Sequence, residues 1–295
     1  YSAKNLYSKY TPRFTYLEQQ GNTQDTWEII REAELPREWQ VPLADYARSQ
    51  GITFISTPTD RQGVEELAAI GVPAYKISSY EAIDLPFVAY VAKKGKPLII
   101  STGMCNAAEL WDILDTCQDA GNPHVAFLQC TSLYPAPYHL ANLRAIPRMQ
   151  ETYRVPAGLS DHTDGWHIPV ASVALGACII EKHFTLDRTL PGPDHPHSLE
   201  PAELKAMIRQ IRDVEAAMGD GFKRGPAPEE QEMFVKARRS VVAAVPIPAG
   251  TVITAEMVTT KRPGHGIPAL DLYSVWGRTA RVDIREDEVI TWEMV

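Results

Sequence analysis

Two stretches, Val155-Pro156-Ala157-Gly158-Leu159-Ser160-Asp161-His162-Thr163 and Cys178-Ile179-Ile180-Glu181-Lys182-His183-Phe184-Thr185, decide the fold. In each, a short apolar run ends in polar residues. That is the pattern of a buried parallel strand delivering side chains to its C-terminal end. Between them, residues 168–176 are apolar and Ala-rich, long enough for one crossover helix. Strand, helix, strand predicts neighbouring parallel strands with His162 and His183 at one end, where α/β folds build their sites. Two imidazoles so placed can share a divalent metal. A histidine beside Asp and Thr also fits a hydrogen-bonded strand end. The shared strand–loop junction brings the metal reading level with that one.

The same unit repeats outward over residues 38–218. Apolar runs at 52–55, 74–77, 97–100, 125–128, 157–159 and 178–180 each end in a polar loop. Helical stretches fall at 60–70, 85–94, 107–120, 140–150, 167–176 and 201–218. Strands alternating with helices mean a parallel sheet. Without a glycine-rich phosphate loop, this spacing favours a closed (β/α)8 TIM-type barrel over an open dinucleotide-binding sheet. Six runs leave such a barrel two strands short. The pattern therefore predicts two strands and a helix upstream of Tyr1, with an open six-stranded sheet as the alternative.

Residues 219–239, rich in Gly, Pro and charge, read as a linker between a barrel domain at 1–218 and a small β-rich domain at 240–295. Short strands are predicted at 240–245, 251–253 and 279–284. An internal repeat, Val252-Ile253-Thr254-Ala255-Glu256-Met257-Val258 and Val289-Ile290-Thr291-Trp292-Glu293-Met294-Val295, predicts a pseudo-symmetric fold. In each copy the Thr can cap a single helical turn.

The chain has 295 residues and a net charge of −8, which argues against a nucleic-acid partner. No apolar stretch approaches the ~20 residues of a membrane span, and no signal-peptide pattern opens the sequence. Cys105, Cys117, Cys130 and Cys178 lack paired spacing, so they read as reduced thiols of a cytoplasmic protein. Cys130 reads as a small buried residue with nothing around it to lower its pKa.

The predicted strand ends carry Ser56-Thr57, Lys76 with Ser78-Ser79, Ser101-Thr102-Gly103, Gln129-Cys130-Thr131-Ser132, Ser160-Asp161-His162 and Glu181-Lys182-His183. Recurrent hydroxyls with two lysines at one rim describe an oxyanion pocket, most simply for phosphate. Lys76 could instead be a Schiff-base lysine; the hydroxyls and the histidine pair favour a phosphate contact.

These motifs, together with Ser56-Thr57-Pro58, Tyr75-Lys76-Ile77, Cys130-Thr131-Ser132-Leu133-Tyr134-Pro135, Pro191-Gly192-Pro193-Asp194 and Lys261-Arg262-Pro263-Gly264, resemble the sialic acid synthase family. The likeness covers essentially the whole chain, and the tail resembles that family's antifreeze-like (SAF) domain. It implies condensation of phosphoenolpyruvate with an N-acetylated aldose to give a nonulosonic acid and phosphate. It also implies Mn²⁺, or Mg²⁺ or Co²⁺, at His162 and His183. Thr57, Lys76, Ser79, Ser101, Ser132 and Ser160 would hold phosphoenolpyruvate, and Glu81, Tyr134 and Asp194 would face the sugar. Arg262 would reach into a partner's barrel in a domain-exchanged homodimer. The family's acidic catalytic residue, and a Lys and a Gln that contact its ligands, correspond to positions upstream of Tyr1. Ser78-Ser79-Tyr80-Glu81 is closer to the pseudaminic and spore-coat branches, and Pro-Gly-Pro-Asp-His to the sialic and legionaminic ones. A Lys76 Schiff-base aldolase and a non-catalytic sugar-binding protein stand as alternatives.

Overall fold

The computed structural model describes residues 1–15 and 24–295, which form two units, Tyr1–Gly219 and Asp220–Val295. Five parallel strands build the sheet of the first unit: β1 (Tyr75–Ile77), β2 (Leu98–Ser101), β3 (Val125–Cys130), β4 (Ala157–Asp161) and β5 (Ile180–Lys182). They lie in sequence order, without the reversal of a doubly wound sheet. The sheet is also curled. Flat, it would hold β1 and β5 about 19 Å apart, beyond the joint span of a Lys and a Glu side chain. Yet Lys76 Nζ on β1 stands 3.3 Å from Glu181 Oε2 on β5. Sequential order and inward curl are those of a TIM-type barrel wall.

Helices return the chain between strands, and local chemistry sets their ends. Asp60 opens Arg61–Ile70 by accepting from the Gly63 amide at 2.7 Å, and Gly71, left-handed at φ +79°, closes it. Asp84 accepts from Phe87 N at the start of Leu85–Ala92, and Asn106 and Glu109 form a capping box on Ala107–Asp119. Their apolar faces cover the sheet. Val64, Val88, Val91 and Ile113 pack with Ile77, Leu98, Ile100 and Phe127, all fully buried.

Several sequence expectations differ from the structure. Residues 52–55 are extended but not in a ladder. Ile52 and Ile55 stay 65% and 39% exposed, so the run gains too little burial to hold strand pairing. The helix expected over 140–150 begins later, as Ala145–Tyr153, because Asn142 takes a positive φ of 48° and separates it from a short turn at Tyr138–Leu140. The stretch read as a linker carries a helix, Gln231–Ala237, with a Glu232–Lys236 pair at 2.6 Å.

In the second unit β6 (Ser240–Ala243) pairs antiparallel with β7 (Val258–Lys261), and single bridges join Val242 to Val289 and Val252 to Thr279. The repeat is structural. Ile253 and Ile290 are buried, as are Val258 and Val295, and each copy makes a 3-10 turn, Ala255–Met257 and Trp292–Met294. Thr254 makes no side-chain cap, so its turn closes through the backbone bond from Met257 N to Thr254 O. No helix among the described residues is long and apolar enough to cross a membrane.

Candidate active site at the strand ends

β4 and β5 are in register, Ser160 opposite Glu181 and Asp161 opposite Lys182. Side chains alternate along strands, so Ser160 and Glu181 share one face, which the loop residues His162 and His183 continue. Ser160 Oγ donates to Glu181 Oε1 at 2.8 Å, and Glu181 also meets Lys76, whose Nζ donates to the Ile77 carbonyl at 2.8 Å. Lys76 is thus engaged inside the barrel wall, which weakens the Schiff-base alternative.

Lys182 does not serve as a rim lysine of an oxyanion pocket, the role its place in the sequence suggests. Instead it pairs with Asp161 at 2.7 Å, each side chain 2% exposed, and donates to the Thr163 carbonyl. Asp161 also accepts from the Thr163 amide and hydroxyl. Buried and fully partnered, this pair clamps β4 to β5, leaving no charge for a ligand.

The hydroxyls of neighbouring strand ends converge. Ser79 Oγ accepts from the Gly103 amide at 2.9 Å. A Cβ placed on Gly103 would stand 2.8 Å from Ser79 Oγ, 2.3 Å from Ser132 Oγ and 3.2 Å from Cys130 Sγ. The glycine therefore leaves a cradle. Ser101 Oγ and Ser132 Oγ are buried without a hydrogen-bond partner. Orphaned hydroxyls cost stability unless something binds them, so they fit an oxyanion ligand. Thr57 instead lines a pocket with Tyr1, Arg37 and Asp60.

Three imidazoles gather around the Tyr134 ring: His162 at 4.3 Å, His197 at 5.6 Å and His183 at 5.9 Å between centroids. His162 and His183 are 5.2 Å apart. The His162 Nδ1 lies 2.8 Å from the Thr131 carbonyl, which fixes the proton there and leaves Nε2 as a lone-pair donor. A ring bound through one nitrogen at about 2.1 Å has its centre about 3.2 Å from the ion, so two rings on one ion stand about 4.6–5.3 Å apart at angles of about 90–110°. The histidine pair fits a divalent metal. The compact ligand group is nevertheless His183, Asp194 and His197, with donor atoms all within 4.8 Å of one another.

Burial shifts the titration of these groups. It pushes His183 down, helped by the nearby His162, and pushes His197 down to about 4, helped by His183. Burial likewise raises the Glu81 carboxyl against the pull of its Ser78 hydrogen bond. The reading of Cys130 as inert is also corrected. Burial works to raise its thiol, but hydrogen bonding and charge from His162, 3.9 Å away, bring it below its ordinary value, with the Ser79 and Ser160 hydroxyls contributing. Arg262 directly follows β7 in the second unit. His197 escaped the sequence reading; the only signal was its closeness to Asp194 in Pro193-Asp194-His195-Pro196-His197.

Residues 1–223 match the NeuB family and residues 238–295 the SAF domain. The N,N'-diacetyllegionaminic acid synthase of Campylobacter jejuni is 39% identical over 293 residues, spanning 98% of this chain and 87% of the relative. The N-acetylneuraminate-9-phosphate synthase of Homo sapiens is 36% identical over 297 residues, spanning 100% of this chain and 80% of the relative. The crystal structure of the spore coat polysaccharide biosynthesis protein spsE of Bacillus subtilis matches with a TM-score of 0.61 at 33% identity, covering 89% of this chain and 78% of that one.

Proposed function

The chain belongs to the NeuB family, and on that premise we propose that it condenses phosphoenolpyruvate with an N-acetylated aldose, N-acetylmannosamine or a related 6-deoxy diacetamido sugar, releasing a nonulosonic acid and phosphate. The observation that carries this reading is the approach of His162 and His183 to 5.2 Å, at the strand ends that also carry the orphaned Ser101 and Ser132 hydroxyls. One half suits a metal and the other an oxyanion.

His162 and His183 would hold Mn²⁺ or a similar divalent ion, which would supply Lewis-acid polarisation of the sugar's aldehyde oxygen. Ser79, Ser101, Ser132 and Ser160, the Gly103 cradle and Lys76 position the phosphate and carboxylate of phosphoenolpyruvate; donors fixed before reaction require no reorganisation during it. Its enol carbon attacks the aldehyde carbon, water adds at C2, and phosphate departs by C–O cleavage. Tyr134, tilted at 44° against His162, forms the wall against which the sugar lies, with Glu81 and Asp194 as polar contacts. Thr57 joins the phosphoenolpyruvate contacts by family likeness alone. By the same likeness Arg262 contacts the acyl group from the partner of a domain-exchanged homodimer, where a planar multi-donor fork suits an amide better than Lys. Free thiols and a metabolite substrate support a cytoplasmic setting for the reaction.

The test is phosphate release. It should require phosphoenolpyruvate, an N-acyl aldose and Mn²⁺ together, and His162→Ala should abolish it. Undiminished release in the presence of a chelator defeats the metal role, and sugar binding by calorimetry without release supports the non-catalytic alternative.

A further inference from the structure

The loop between β5 and the helix Pro201–Ala217 is tied down more firmly than the substrate contacts assigned to it require. His183 lies at its start, and Phe184 bridges in parallel to Leu199. Leu199 N donates to the His183 carbonyl at 2.9 Å and Thr185 N to the Leu199 carbonyl at 2.9 Å. Arg188 Nε donates to the Ser198 carbonyl at 2.9 Å, and its guanidinium pairs with Glu203 on the helix. Ser198 Oγ donates to the Asp194 carbonyl at 2.6 Å, and the Thr185 hydroxyl contacts His195 Nδ1 at 2.7 Å. These bonds fix a 3-10 turn, His195–His197, directly beside His183.

His197 is the anomaly within that turn. Its side chain is 2% exposed, and neither ring nitrogen has a hydrogen-bond partner. A buried imidazole held by packing alone would leave both polar atoms uncompensated, which destabilises the fold. Asp194 does not satisfy it. Asp194 Oδ1 is 3.9 Å from His197 Nε2, and Asp194 Oδ2 is 3.8 Å from His183 Nδ1. Both distances are too long for a hydrogen bond. They suit donors facing one ion, which at about 2.1 Å from each would stand about 3–4 Å apart. The His183 and His197 rings, 5.0 Å between centroids, have the separation of two imidazoles on one ion.

We propose that His197 is a protein ligand of the divalent ion held at His183, with the Asp194 carboxylate facing the same ion. The inference rests on the metal-dependent reading above and extends its ligand set. His162, His183 and His197 then give three imidazoles, a nitrogen-rich ligand set that holds the ion more tightly than a histidine pair does.

The experiment counts imidazoles on Mn²⁺ in the full chain by electron spin-echo envelope modulation, with Mn²⁺ affinity from calorimetry. Mn²⁺ alone is the probe. Wild type should show three imidazoles, and His162→Ala and His197→Ala two each. His197→Ala should also weaken Mn²⁺ about 10-fold or more. Two imidazoles in wild type and one in His162→Ala overturn the role of His197 and leave the metal reading standing. Two in wild type and two in His162→Ala keep His197 as a ligand and remove His162 from the set. If wild type binds no Mn²⁺, both fall. Wild type and His162→Ala decide the question even where His197→Ala fails to fold.

Discussion

A neutral imidazole buried at His197 makes the metal-free protein acid-sensitive in a defined window. Its folded-state pKa is pushed down to about 4, whereas an unfolded histidine titrates near 6.5. Below pH ~6.5 the unfolded chain therefore takes up a proton that the folded chain refuses, and stability falls with pH until the folded ring protonates near 4. Each pH unit in that window is worth about 1.4 kcal/mol. From pH 6.5 to 5 the loss is about 2 kcal/mol, and by pH 4 about 3 kcal/mol. For a chain of this size about 2 kcal/mol corresponds to a Tm shift of roughly 4–8 °C. The measurement is thermal unfolding in EDTA at several pH values between 7 and 5, for wild type and His197→Gln. Groups away from the cluster contribute equally to both proteins, so the difference between the two slopes reports residue 197 together with its coupling to His183 and His162. The variant should lose about 2 kcal/mol less than wild type over that range. Parallel curves would mean that His197 titrates normally, and the argument from its burial would be wrong.

Lys182→Met strands the Asp161 carboxylate at 2% exposure, so unfolding by urea should show about 3–5 kcal/mol of destabilisation, partly recovered by adding Asp161→Leu. Gly103→Ala pushes a Cβ to 2.3 Å from Ser132 Oγ; because hydroxyls can rotate, the fold should survive while KM for phosphoenolpyruvate rises, and an unchanged KM would remove the cradle from the site. Gly158→Ala meets backbone instead, 2.2 Å from the Ile179 carbonyl, and circular dichroism should show loss of the folded barrel; a native-like melt would contradict the packing of β4 against β5. Phe127→Ala empties a fully buried position between sheet and helices and should cost about 3–5 kcal/mol in denaturant unfolding.

Much of the barrel was legible because each of its signals is local. The apolar runs at 74–77, 97–100, 125–128 and 157–159 sit on β1 to β4, and Asp60, Asn106 and Gly71 mark helix ends by short-range chemistry. The histidine pair was legible for the same reason, since each lies just beyond a strand. What required the fold was long-range. Nothing in a sequence separated by over a hundred positions pairs Lys76 with Glu181. Cys130 looked inert because its neighbours in the chain are neutral, whereas the group that acts on it is His162, one β/α connection away in sequence and one strand away in space. His197 lies in an irregular loop with no periodicity to read, and its position depends on Arg188 and Glu203 anchoring that loop.

Strand alternation then sorts the charged residues of β4 and β5 by role. Ser160, Glu181, His162 and His183 fall on one parity; Asp161 and Lys182 fall on the other. The first set leads to Lys76, to the Tyr134 ring and to His197. The second closes on itself through the Thr163 backbone and is almost wholly buried. A one-residue slip of β5 against β4 would therefore exchange the clamp for the site, placing Lys182 among the histidines and burying Glu181 without a cation. The Asp161–Lys182 pair opposes that slip, because only the native register brings the two charges together. Its contribution to function is positional: it holds His162 and His183 on one face and at one height. Replacing it with Leu and Met together should recover much of the stability lost in Lys182→Met yet broaden the Mn²⁺ spin-echo spectrum of the histidine cluster. A spectrum as sharp as wild type would show that packing alone sets the register.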